Sequence, residues 1–283
     1  MKIIECPRDA MQGIKDWIPT ELKAKYINEL LQVGFDTLDF GSFVSPKAIP
    51  QLKDTQEVIN QLNLDDVTTK LLAIVANERG AIAASEFGII DYLGYPFSIS
   101  EEFQKRNTNA SIEESLSRVE AIQNLCHKTN KTLVIYISMG FGNPYGEHWS
   151  PEIAANWTER LAKELDVQVI ALSDTIGVSN PENINQLFST LIPEFPGVEI
   201  GAHLHSTPET RMEKIEAAYN AGCIRFDGAI KGYGGCPMAK DDLVGNMATE
   251  DLLLFAEQSK IELNLNQEAL NRATLTSNEV FLH

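Results

Sequence analysis

His203 and His205 stand two residues apart at the end of the apolar run Ile200-Gly-Ala-His-Leu-His. Side chains of a strand alternate between its faces, so both imidazoles point the same way. Two imidazoles on one face can take adjacent positions on a divalent cation. The plainer reading is a pair of histidines hydrogen-bonded at a strand end. Arg8-Asp9 follows the first apolar run directly, after Pro7. Asp9 could hold a cation, and Arg8 could place a fixed positive charge where an enolate or carboxylate oxygen gains negative charge. The ordinary alternative is a surface ion pair. A carboxylate with two imidazoles is a mixed donor set suited to Mg²⁺, Mn²⁺, Co²⁺ or Zn²⁺.

Other residue types in the chain could add to such a centre. Gly232-Tyr-Gly-Gly-Cys236-Pro237 reads as a tight loop, and its thiol could exchange a proton near a reacting carbon. Asn246 lies ten residues further on and could add a neutral oxygen ligand. Asp174 ends a buried run in Leu-Ser-Asp-Thr-Ile-Gly, either as a cap or as a base. Asp39, in Leu-Asp-Phe, reads as a structural hydrogen-bonder or an acid/base. Lys15 and Lys47 lie in loops and could meet the phosphates of a bulky anionic substrate. His127 and His148 carry no such pattern.

These residues need a frame. Short apolar runs predict strands over 2–5, 37–40, 70–74, 89–93, 133–138, 167–173, 199–205 and 224–229. Helical spacing predicts helices over 20–33, 48–62, 76–86, 112–129, 151–165, 181–191, 208–221 and 247–259, with a short C-terminal stretch beyond. Ser111 with Glu114 fits a capping box. Ser150-Pro151, Asn180-Pro181 and Thr207-Pro208 each put a cap residue before a proline at the first helical position. Alternating strands and helices predict a parallel sheet. Eight such units in about 250 residues predict a closed α/β (β/α)₈ TIM barrel, with an open doubly wound sheet as the alternative. One domain over 1–283 is expected, with its site at the C-terminal rim. Arg8, Asp9, Asp39, Tyr136, Ser138, Asp174, His203 and His205 all fall at that rim. Closure would pair strand eight with strand one and bring Asp9 within reach of the histidines.

The chain has 283 residues, 43% of them apolar, and a formal net charge of −17. That charge argues against a nucleic-acid or anionic-membrane partner, because either needs a basic face. No run approaches the ~20 apolar residues of a membrane span. The N-terminus enters a strand pattern at once, so a cytoplasmic location is expected. Cys6, Cys126, Cys223 and Cys236 are scattered and read as free thiols.

Several stretches together resemble one family. They are Pro7-Arg8-Asp9 with Gln12, Ser42-Phe-Val-Ser-Pro-Lys47, Ser111-Ile-Glu-Glu-Ser115, Asp174-Thr-Ile-Gly-Val178, His203-x-His205, Gly232-x-Gly-Gly-Cys-Pro237 and Gly245-Asn246-x-Ala-Thr-Glu-Asp251. In this order they resemble the 3-hydroxy-3-methylglutaryl-CoA lyases, metal-dependent enzymes built on a TIM barrel. The resemblance implies cleavage of that thioester to acetyl-CoA and acetoacetate. It implies a divalent metal, Mg²⁺ or Mn²⁺ first and Zn²⁺ or Co²⁺ second, on Asp9, His203, His205 and Asn246. CoA enters as part of the acyl-CoA substrate. Arg8 would stabilise the enolate, Cys236 would sit on a catalytic loop, and Asp174 would lie close to metal and substrate. Asp174 or His203 would be the base. Gln12 and Ser42, with Lys15 and Lys47, are expected on the substrate-binding side. A homodimer is implied as well. His-x-His and Arg-Asp are shared with related acyltransferases that condense acetyl-CoA with 2-oxo acids, and the Gly-Gly-Cys-Pro loop favours the lyase. A lyase for another 3-hydroxyacyl-CoA is a further alternative. The chain departs from the family at Asp39, where the family has Glu, at Ile4 (Glu) and at Cys6 (Gly). The loop 139–147 lacks the family's cysteines.

Overall fold

A computed structural model describes residues 1–235 and 244–281. Eight parallel strands form the centre: β1 (Lys2–Glu5), β2 (Thr37–Ser42), β3 (Lys70–Ile74), β4 (Tyr92–Ser98), β5 (Thr132–Ser138), β6 (Val169–Asp174), β7 (Glu199–Ser206) and β8 (Arg225–Gly228). They run in sequence order around the sheet, and both β1–β8 and β6–β7 pairs close it. The result is the (β/α)₈ barrel that the strand count predicted. A short ninth strand, β9 (Gly245–Asn246), lies antiparallel on the end of β7, with Asn246 opposite His205.

The helices outside the wall are α1 (Pro7–Gln12), α2 (Thr20–Leu31), α3 (Thr55–Ile59), α4 (Glu78–Ser85), α5 (Glu101–Thr108), α6 (Ile112–Thr129), α7 (Pro151–Glu159), α8 (Pro181–Glu194), α9 (Arg211–Asn220), α10 (Thr249–Gln258) and α11 (Gln267–Phe281). Strand alternation splits the buried side chains into two layers. Leu38, Leu71, Leu93, Ile135, Ile170 and Ala202 face outward into the large core under the helices. Leu72, Ile74, Val134, Tyr136, Val169 and Ala171 face inward and fill the barrel. Each buried aliphatic side chain of these layers contributes about 1.5–3 kcal/mol. No helix of the described residues is long and apolar enough to cross a membrane.

The capping boxes at Ser111/Glu114 and at Asn180 are present. Ser150 precedes α7 but makes no side-chain cap bond. Thr207-Pro208 does not start a helix. Residues 207–210 form a turn, Thr210 N–H bonding the Thr207 carbonyl at 3.0 Å, and α9 begins at Arg211. The expected helix 48–62 is broken into a 3₁₀ turn at Pro50–Leu52 and the short α3. Gln51 and Asp54 spend their side chains on Ile14, Asp16 and Lys23. β4 lies further along than 89–93. It runs through Gly94, where a Cβ would sit 2.5 Å from the Ile74 side chain. Two helices escaped the periodic pattern. α1 has six residues, too few to show a period, and α5 is almost wholly polar.

Candidate active site

The C-terminal mouth of the barrel holds a cavity of about 280 Å³, lined by Arg8, Asp9, Gln12, Tyr136, Ser138, His203 and His205 among others. His203 and His205 share the inward face of β7, as their spacing requires. His203 Nδ1 lies 3.1 Å from Asp227 Oδ2, an inward residue of the neighbouring β8. His205 Nδ1 lies 3.1 Å from the Thr175 carbonyl oxygen, which can only accept. The proton on His205 is therefore on Nδ1, and Nε2 is a bare acceptor. It is buried and has no partner among the described residues. Ligand atoms of Asp9, His203 and His205 lie within 4.8 Å of one another. An imidazole that gives its far nitrogen to a carboxylate or carbonyl and leaves the near one free is the usual arrangement at a metal centre. The donor set therefore fits a divalent cation.

The electrostatics agree. Burial opposes the Asp9 charge, but Arg8, the two imidazoles and the Asn246 amide outweigh it and hold the carboxyl below its ordinary range. Burial also lowers His205, helped by the nearby His203. In His203 the same burial is outweighed by Asp227 and Asp9, which push it up. The Asn246 amide Nδ2 donates to Asp9 Oδ2 at 2.7 Å and to the Tyr233 carbonyl at 2.9 Å. Gly234 makes this approach feasible. Its φ is +93°, and a Cβ there would sit 2.7 Å from Ala10 Cα.

Arg8 is held on three sides. Its Nε donates to Asp39 Oδ1 and Oδ2 at 3.1 and 3.0 Å, and Nη2 donates to the same carboxylate. Nη1 reaches Asp9 Oδ1 and Gln12 Oε1, each at 2.9 Å. Gln12 Nε2 closes the ring on Asp9 Oδ1 at 2.6 Å. Burial pushes Asp39 up to about 6 against the pull of Arg8. A bulge between Asp39 and Gly41 shifts the register of β2 against β3 at this point. Asp39 stops at Arg8 and does not line the cavity.

Not every expected residue converges. Asp174 alternates outward, between inward Ser173 and Thr175. Its oxygens accept from Val178 N at 2.8 Å, Ser179 N at 3.0 Å, Ser179 Oγ at 2.5 Å and Lys214 Nζ at 3.0 Å. It is absent from the cavity wall. The expectation of Asp174 as base is corrected by this parity: the carboxylate braces the wall from behind. Lys15 and Lys47 are exposed on loops that leave the mouth after α1 and β2, and neither lines the cavity. Ser42 is buried and accepts from Val44 N at 3.2 Å, shaping its own loop. Cys236 lies outside the described residues. Cys6, Cys126 and Cys223 are free and buried.

Four contributors escaped the sequence reading. Asp227 orients His203 from an inward position on β8 that alternation could have flagged, and Thr175, just past β6, orients His205 through its backbone carbonyl, which no side-chain pattern signals. Lys214 donates to Asp174 and to the His205 carbonyl at 2.8 Å, bolting β6 to β7 behind the site. Arg106 lines the cavity from α5, whose start is signalled by Ser100 before Glu101 and Glu102.

Closed barrel and mouth together define a TIM-barrel protein with a carboxylate–diimidazole cluster at its C-terminal rim. The HMGL-like family model matches residues 2–276, and the chain belongs to that family. It is 36% identical over 264 residues to the hydroxymethylglutaryl-CoA lyase YngG of Bacillus subtilis, covering 93% of this chain and 87% of that one. It is 33% identical to the mitochondrial hydroxymethylglutaryl-CoA lyase of Homo sapiens, covering 96% and 83%. The crystal structure of the Bacillus subtilis HMG-CoA lyase superposes with a TM-score of 0.91 at 34% identity, over 99% of this chain and 93% of that one.

Proposed function

We propose that the chain is a single catalytic domain that cleaves 3-hydroxy-3-methylglutaryl-CoA to acetyl-CoA and acetoacetate, using a divalent cation. The observation that carries this reading is the bare Nε2 of His205, buried beside Asp9 and His203 at the cavity wall. Family membership supplies the substrate. Asp9, His203 and His205 would hold the cation, with Asn246 Oδ1 as a fourth oxygen donor and Mg²⁺ or Mn²⁺ as the first choice. When bound, the cation supplies Lewis acidity to the hydroxyl and carboxylate oxygens of the substrate.

The chain's own groups do the rest. The base takes the proton of the tertiary hydroxyl, the C2–C3 bond breaks, and the electron pair moves into the thioester. Arg8 presents its guanidinium to the enolate oxygen that forms, held in place by Asp39, Asp9 and Gln12. Of the two candidates for the base, His203 lines the cavity, whereas Asp174 faces outward with its oxygens occupied. Asp39, with both oxygens accepting from Arg8, positions that guanidinium from behind the cavity wall. Proton return to the enolate is assigned to Cys236, on the resemblance of its loop alone. Arg106 at the cavity, with Lys15 and Lys47 on the mouth loops, supplies positive charge for the CoA phosphates. The resemblance also supports a homodimer.

The test is direct. Purified protein with 3-hydroxy-3-methylglutaryl-CoA and Mg²⁺ or Mn²⁺ should release acetoacetate, and a chelator should stop it. No acetoacetate with either ion, alongside release of free CoA from acetyl-CoA and a 2-oxo acid, would contradict the lyase in favour of the acyltransferase.

A further inference from the structure

A second group of ligand-type atoms lies on the neighbouring strands β7 and β8 and just past the end of β1. Cys6 Sγ, a ring nitrogen of His203 and a carboxylate oxygen of Asp227 lie within 4.8 Å of one another. Cys6 is 1% exposed and Asp227 3%. Asp227 Oδ2 faces His203 Nδ1, while Oδ1 is buried with no partner among the described residues. The Cys6 thiol makes only a long contact, 3.6 Å, to the Ile4 carbonyl. The group is thus held together by the fold, with a carboxylate oxygen and a sulfur both largely unspent. Neither atom is used by the chemistry proposed for the mouth.

We propose that Cys6, Asp227 and His203 form a second cation site, selective for soft divalent ions such as Zn²⁺ and Cd²⁺. Sulfur, imidazole nitrogen and carboxylate oxygen are the donors such ions take, and the sulfur sets this group apart from Asp9, His203 and His205. Mg²⁺ prefers oxygen and leaves the site alone. Burial, with Asp227, Asp39 and Asp9 close by, keeps the Cys6 thiol protonated while no ion is bound. Ion entry therefore displaces the thiol proton to solvent and forms the metal–sulfur bond in its place, while the His203 proton moves from Nδ1 to Nε2 and frees Nδ1 for the ion. The same carboxylates offset the incoming positive charge against Arg8. The two groups share His203, so a soft ion at Cys6 competes with an ion at the mouth. It also takes the imidazole edge that Asp227 now holds. Binding at Cys6 does not depend on the lyase reading; inhibition by soft ions rests on it.

Cd²⁺ added to the chelator-treated full chain tests the site through the ultraviolet thiolate-to-Cd²⁺ charge-transfer band. The band should rise to saturation at one equivalent and vanish in Cys6→Ser. Cys236→Ser and Asp9→Asn should keep it. Asp227→Asn should weaken Cd²⁺ binding by about 10–100-fold. A band that survives Cys6→Ser, or one lost in Cys236→Ser, overturns the proposal. Should Cys6→Ser fail to fold, an unchanged Cd²⁺ affinity in Asp227→Asn overturns it alone.

Discussion

Asp39 and Asp174 lie on β2 and β6, both fully buried, and both pair with a buried cation. They differ in which side of the barrel wall they face. Asp39 points inward to Arg8, beside atoms with no partner among the described residues: His205 Nε2, Asp227 Oδ1 and Tyr136 Oη. Asp174 points outward to Lys214 and Ser179, where carboxylate and ammonium both have their bonds filled. Leaving buried polar atoms unpaired costs about 1–3 kcal/mol each. The atoms around Asp39 carry that cost, and the Asp174–Lys214 pair does not. One residue of register therefore separates an aspartate that braces Arg8 inside the barrel from an aspartate that braces the wall from outside.

The comparison can be broken most sharply at Arg8. Arg8→Gln should lower turnover of 3-hydroxy-3-methylglutaryl-CoA by about 10²–10³-fold while metal binding persists. Near-normal turnover would remove Arg8 from the chemistry. On the shell side, Asp174→Ala strands the Lys214 ammonium in a buried site. It should cost about 3–5 kcal/mol in urea unfolding, with metal affinity of the folded protein intact. The reverse pattern, full stability with metal binding lost, would reassign Asp174 to the site.

A smaller effect separates the two sides by pH. Glu5 lies on the outward face of β1, where it accepts from Ile230 N–H at 2.9 Å and Thr249 Oγ at 2.5 Å. Burial pushes it up from 4.5 to about 8. The folded chain holds this proton more tightly than the unfolded one. Its contribution to stability is therefore complete below about 4.5 and is lost as pH rises through about 8. Stability should fall by up to about 1.4 kcal/mol per pH unit across that window, and Glu5→Gln should remove the slope. An identical pH dependence in the variant would show that Glu5 does not carry it.

Much of this was legible in the sequence. The His203/His205 spacing fixes a shared face whatever the fold, and eight apolar runs fix a rim for it. Closure then brings Asp9 two strands away. The limit of that reading was parity at strand ends. Asp174 looked like a rim acid because the run before it is apolar on both sides, which hides the alternation a half-exposed strand displays. Asp227 went unnoticed for the same reason. Gly94 and Pro96 resemble turn signals, yet they lie inside β4, where Gly94 yields space to Ile74 and Tyr136. The α5 cap at Ser100 was available in the sequence, but its helix has too few apolar residues to show a stripe. That concealed Arg106.

Mn²⁺ titration of the wild type, His205→Ala and Asp174→Asn tests the central claim most directly, because it asks which side of the wall holds the metal. The wild type should bind one Mn²⁺ at the mouth. His205→Ala should lose more than about 100-fold in affinity, beyond the cost of an outer hydrogen bond. Asp174→Asn should bind as the wild type does. Loss of Mn²⁺ in Asp174→Asn with binding retained in His205→Ala would contradict the account.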